Sequence, residues 1–120
     1  MKILIAVFVG GGFGSVLRYI FQLFIPSNTF PWATLTANLL SCLIVGFILS
    51  QPSKIKDFQF YKTLIITGFC GGLSTFSGII REEYQFINIQ EYLLALGYCV
   101  LSFTLGIISI LGGLWLGKQN

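Results

Sequence analysis

The chain has no histidine. That removes the commonest transition-metal ligand and the usual proton shuttle near neutral pH. Charge is almost as scarce. Only 9% of the 120 residues are Asp, Glu, Lys or Arg, against about 25% in a soluble domain. None of them falls within Tyr19–Ser53, Thr63–Ile80 or Tyr92–Gly117. Strand-like alternation is not sustained, and the apolar segments are too long for barrel strands. Catalytic pairing is missing too: Ser74, Thr75 and Ser77 have no His or Lys nearby in sequence to act as a base. The seven basic residues make no patch interleaved with aromatics, so nucleic acid is not an expected partner. Cys42, Cys70 and Cys99 lack CxxC spacing and sit in apolar segments. They read as buried thiols, not as redox or metal groups.

What is present is apolar surface: 55% of the residues, with a mean hydropathy of +0.86. A helical span takes roughly 20 apolar residues. The chain divides into four, at about 3–24, 32–50, 62–84 and 91–116, in one all-α membrane domain over 1–120. Ile25–Pro31 carries two prolines with Ser and Asn and reads as a turn. The first span is expected to be retained. It lacks a small-residue cleavage pattern, and Arg18 and Tyr19 continue the helix. Four spans make a thin bundle, which favours an oligomer.

The third span holds the most informative segment, Gly68–Ser77, GFCGGLSTFS. In hydrocarbon every backbone N–H and C=O needs a partner. A Gly/Ser/Thr cluster at that depth predicts a helix broken at its centre. Such breaks persist inside protein or beside an aqueous path, where freed carbonyls and hydroxyls can hold an ion.

Other polar residues need explaining. Thr34, Asn38 and Ser41 share one face of the second span, at i, i+4 and i+7. In the fourth span Tyr98, Ser102 and Ser109 share a face, with Gly106 and Gly113 near it. Interhelical hydrogen bonding and a pore lining both satisfy these stripes. Arg18 is the one charge in the first span's pattern, and an isolated Arg near a helix end favours snorkelling. No carboxylate is expected in a span core, since Glu82, Glu83 and Glu91 fall at or beyond the ends. That argues against a proton-coupled carrier. Neutral dipoles, backbone and ring edges remain, and they suit passive conduction of a small ion. Small residues at four-residue spacing, such as Gly10 with Gly14 and Gly68 with Gly72, read as helix-packing contacts.

The chain resembles the small fluoride channels of the Fluc (CrcB) family. The matching stretches are GGGFGSVLRY (Gly10–Tyr19), TLTANLLSCLIVG (Thr34–Gly46), GFCGGLSTFS (Gly68–Ser77) and the Tyr98, Ser102, Gly106 pattern. They cover nearly the whole chain. The resemblance implies an antiparallel dimer with two fluoride pores, in the cell membrane of a bacterium. It implies a structural, untransported Na⁺ at the dimer centre, held by the carbonyls of Gly71 and Ser74. It makes Asn38, Phe76 and Ser77 pore residues, with Tyr98 and Ser102 alongside. Arg18 falls near the pore entrance, and Glu82 ends the third span.

Two positions depart from the family's TTFSTF pattern. Ile79 stands where a second pore phenylalanine is common, and Gly78 replaces a threonine. An aliphatic side chain has no positive ring edge to offer. Lys2, Lys54, Lys56, Lys62 and Lys118 collect on one side of a four-span layout, against Arg18 and Arg81 on the other. That bias predicts a fixed orientation with cytoplasmic termini. The sequence therefore leaves open an antiparallel homodimer and a heterodimer with an oppositely inserted paralogue.

Overall fold

The computed structural model describes residues 1–52 and 57–119. Lys54 and Lys56 lie outside the described residues. Among the described residues four helices are long and apolar enough to cross a membrane: Lys2–Phe24, Trp32–Leu49, Phe58–Asn88 and Tyr92–Lys118. We call the first two α1 and α2. The third is composite. It begins with α3 (Phe58–Lys62), widens into a π-helical stretch (Thr63–Cys70), tightens again in α4 (Gly71–Leu73), breaks, and resumes as α5 (Phe76–Asn88). The last is α6 (Tyr92–Lys118). The composite span is longer at both ends than the 62–84 expected.

Glycine decides which helices touch. α1 packs along the π-helical stretch and α4, and α2 packs along α6. A Cβ at Gly14 would strike the Phe69 carbonyl, and one at Gly72 the Gly11 carbonyl. Likewise a Cβ at Gly46 would strike the Ile110 carbonyl, and one at Gly113 the Leu43 carbonyl. Both contacts bring backbone against backbone. Lipid gives no hydrophobic drive for helices to associate, so this close approach supplies the packing.

Side-chain packing is concentrated at one end. Leu35, Phe86, Ala95 and Tyr98 form a small buried cluster where α2, α5 and α6 converge. Elsewhere large apolar residues point outward, among them Phe8, Phe24 and Leu93. Bilayer hydrocarbon is the solvent that such an exterior fits.

Candidate functional site

Ser74 and Thr75 are the break. Both are extended, with φ/ψ of −76°/156° and −151°/115°. The Cys70 carbonyl closes the first half, accepting from the Ser74 amide (2.9 Å), the Ser74 hydroxyl (2.8 Å) and the Ser41 hydroxyl (3.0 Å). In an unbroken helix the Thr75 amide would donate to the Gly71 carbonyl. Here it donates to Asn38 Oδ1 at 2.7 Å, while Asn38 Nδ2 donates to the Thr75 carbonyl at 3.4 Å. One side-chain amide thus pairs with Thr75 as a neighbouring strand would. The second half starts with a cap: Thr75 Oγ1 accepts from the Gly78 amide at 2.9 Å.

The polar stripe of α2 serves the third span along its length. Thr34 donates to Glu82 (2.5 Å), Asn38 clamps Thr75, and Ser41 donates to Cys70. Interhelical bonding therefore accounts for all three, and Asn38 in addition faces open space.

Arg18 is half-buried and reaches the break. Its Nη1 donates to the Ser74 carbonyl at 3.3 Å. The break supplies what a helix cannot, a backbone acceptor freed from its i+4 amide, since the Gly78 amide goes to Thr75 Oγ1 instead.

Glu82 corrects the expectation that no carboxylate is embedded. It is only 8% exposed. It accepts from Thr34 and from the Tyr98 hydroxyl (2.7 Å), with Arg81 at 3.7 Å. Tyr98 is fully buried, its ring held edge-on by Phe30 and Phe86 at centroid distances of 5.3 and 6.0 Å. Ile79, Glu82 and Phe86 stand at i, i+3 and i+7, and all three turn inward. That spacing was the available sequence signal for a buried Glu82.

Two grooves flank the break. The first, about 340 Å³, brings together Asn38, Phe76 and Ser102, with Ile79 and Thr75 in its wall. The second, about 440 Å³, holds Arg18 and Ser77, again with Thr75, and with Gly78 and Arg81. Tyr98 lines neither and belongs with Glu82. In the first groove several donors are unspent. Ser102 Oγ is buried one helical turn from the Tyr98 hydroxyl, and among the described residues no partner lies within hydrogen-bond distance by geometry. An Asn amide has two N–H donors, and the Thr75 carbonyl uses one. Phe76 projects into the open, 68% exposed.

The residues expected to hold Na⁺ fit a hard cation in part. Among the described residues no cluster of three or more His, Cys, Asp or Glu could hold a metal; backbone carbonyls and the Ser74 and Thr75 hydroxyls are the oxygens at the break. The Gly71 carbonyl has lost its helical donor to Asn38, and Gly71 itself is exposed. The Ser74 carbonyl is shared with Arg18, and a carbonyl oxygen has two lone pairs.

A family model described as CrcB-like protein, Camphor Resistance (CrcB), matches residues 5–114. Relatives cover nearly the whole chain. A protein of Phocaeicola vulgatus is 34% identical over 98% of this chain and 100% of its own length. One of Flavobacterium psychrophilum is 37% identical over 99% of each. One of Ignicoccus hospitalis is 38% identical over 92% of this chain and 90% of its own. Each of the three is named a fluoride-specific ion channel FluC, a channel and not an enzyme. The chain belongs to the CrcB family and is a multi-pass membrane protein.

Proposed function

We propose that this member of the CrcB family is a fluoride channel that passively lets the anion out of the cytoplasm, across the bacterial plasma membrane. HF crosses lipid and dissociates inside, and the negative interior then drives fluoride outward through a selective path. The observation that carries this reading is the first groove. Asn38, fixed by its clamp on Thr75, keeps one N–H free beside the Ser102 hydroxyl and the exposed Phe76 ring. Neutral donors and a positive ring edge stabilise a small anion without trapping it as a fixed cation would. On the far side of the break Arg18 raises the local potential for anions, with Ser77 as a further hydroxyl. Tyr98 acts indirectly, by holding Glu82.

The groove is open on one side, and polar donors at membrane depth need cover. An oppositely inserted second subunit would supply it and yield an antiparallel dimer with two pores. The carbonyls of Gly71 and Ser74 would then face their counterparts. A Na⁺ there would offset the convergence of oxygen dipoles. Lipid covers the remaining exterior.

A second reading has its own observation. Ile79 lines the same groove as Phe76 and puts an aliphatic wall where a ring edge would help. The chain would then be one subunit of a heteromeric channel whose partner completes the better pore. Fluoride efflux from liposomes carrying this chain alone, with and without a proton gradient, separates the readings. Passive export requires efflux that is indifferent to the proton gradient. Efflux that appears only with a co-reconstituted paralogue supports the heteromer. Efflux that depends on the proton gradient overturns channel conduction.

A further inference from the structure

Two cavities meet at Arg81. The second groove, beside the break, is lined by Arg18 and Arg81 and by no carboxylate among the described residues. Beyond it lies a larger cavity of about 840 Å³, walled by the turn before α2 and by the outer turns of α5. That outer cavity has Glu82 and Glu91 in its wall, with Arg81 as its cation among the described residues. Gln22 and Arg81 are the two residues common to both linings, and they mark the neck between them.

Helical spacing sets this neck one turn outward from the break. Gln22 follows Arg18 by four residues on α1, and Arg81 follows Ser77 by four on α5. One turn is about 5.4 Å. The Arg81 side chain is 64% exposed, and its Nη2 lies 3.7 Å from Glu82 Oε1. At that distance charge holds the pair without a hydrogen bond, while Glu82 receives its hydrogen bonds from Thr34 and Tyr98. The contact therefore leaves the guanidinium donors unspent. An anion crossing the outer cavity passes two carboxylates before it reaches a groove of guanidinium groups, and the sign of the lining changes at Arg81.

We infer that Arg81, together with Gln22, is a capture site at this neck. Its guanidinium draws a small anion out of the acid-lined outer cavity, offsets the charge of Glu82, and passes the anion one turn inward to Arg18. The inference rests on the fluoride reading above and adds a charge-selective mouth to it.

Charge and shape can be separated at this position. Arg81→Gln keeps a polar side chain and removes the charge, whereas Arg81→Lys keeps the charge and loses the planar fork. Field focusing in a charged cleft changes anion arrival by about tenfold or more. Fluoride efflux from liposomes at subsaturating fluoride and about 0.01 M ionic strength should fall about tenfold in Arg81→Gln and stay near the parent level in Arg81→Lys. With potassium gluconate on both sides at about 1 M, where the screening length is about 3 Å, the parent and Arg81→Gln should converge. A loss that persists unchanged at high salt would make Arg81 a packing residue and overturn the inference.

The charge at the neck can also be read without conduction. In Gln22→Cys the thiol reacts with negatively and positively charged thiosulfonate reagents, and the ratio of the two rates cancels changes in thiol reactivity. That ratio, corrected for labelling of the parent's own cysteines, should drop about tenfold when Arg81→Gln is added, and Arg81→Lys should restore it. An unchanged ratio overturns the inference even if efflux falls. If the parent chain does not conduct, the fluoride reading fails by itself, and the labelling ratio still decides whether Arg81 governs anions at the neck.

Discussion

Asn38→Asp isolates charge from geometry at the break. Aspartate keeps the acceptor that holds the Thr75 amide at 2.7 Å. It loses the N–H donors, one of which goes to the Thr75 carbonyl. The break should therefore survive, while a fixed negative charge replaces a neutral amide in the first groove. For an anion about 5 Å away at an effective dielectric of about 20, the repulsion is about 3 kcal/mol. That is more than a hundredfold in conduction. Asn38→Ser is the counterpart. It adds no charge but leaves the Thr75 amide without its acceptor, a cost to stability of about 1–3 kcal/mol. Initial fluoride efflux from liposomes, read with a fluoride electrode, and Tm in detergent should therefore diverge. Aspartate should stay folded and stop conducting, whereas serine should melt earlier and conduct measurably. Equal efflux from the parent and the aspartate variant would refute the argument and make Asn38 a packing residue only.

Ile79→Phe restores a ring in the groove that holds Phe76, and efflux from the chain alone should rise severalfold; no change, with the fold intact, would remove the argument for an impaired pore. Ser74→Ala should keep any stabilisation by Na⁺ over a large organic cation, because the proposed ligand is the carbonyl. Its cost is the 2.8 Å hydroxyl bond to Cys70, about 0.5–1.5 kcal/mol in denaturant melts. Loss of the Na⁺ effect would make the hydroxyl the ligand. Cysteine placed at Gln51 should label from the cytoplasmic side only if the basic bias fixes orientation, and equal labelling from both sides would establish dual insertion.

The four-span architecture was legible because a span announces itself by length and the absence of charge. The break was legible because glycine, serine and threonine crowd Gly68–Ser77, and Ser74 and Thr75 are its extended residues. What the break is tied to was not legible. Asn38 and Thr75 are 37 residues apart, and no local pattern specifies which amide an asparagine will capture. The partner of Arg18 was illegible for the same reason, since it is a carbonyl freed only because the helix stops. Glu82 was misread from its place near the span's end, although its turn of α5 faces inward to Thr34 and Tyr98. The π-helical stretch left no sequence mark beyond the glycines of α1 that face the Leu64 and Phe69 carbonyls.

The central claim is that the clamped break forms the wall of a fluoride-selective path. Current across a planar bilayer containing this chain, with opposed fluoride and chloride gradients, tests it most directly. The account predicts a current that reverses at the fluoride equilibrium potential and vanishes in Asn38→Asp. Reversal at the chloride potential, or a current indifferent to Asn38→Asp, would contradict it.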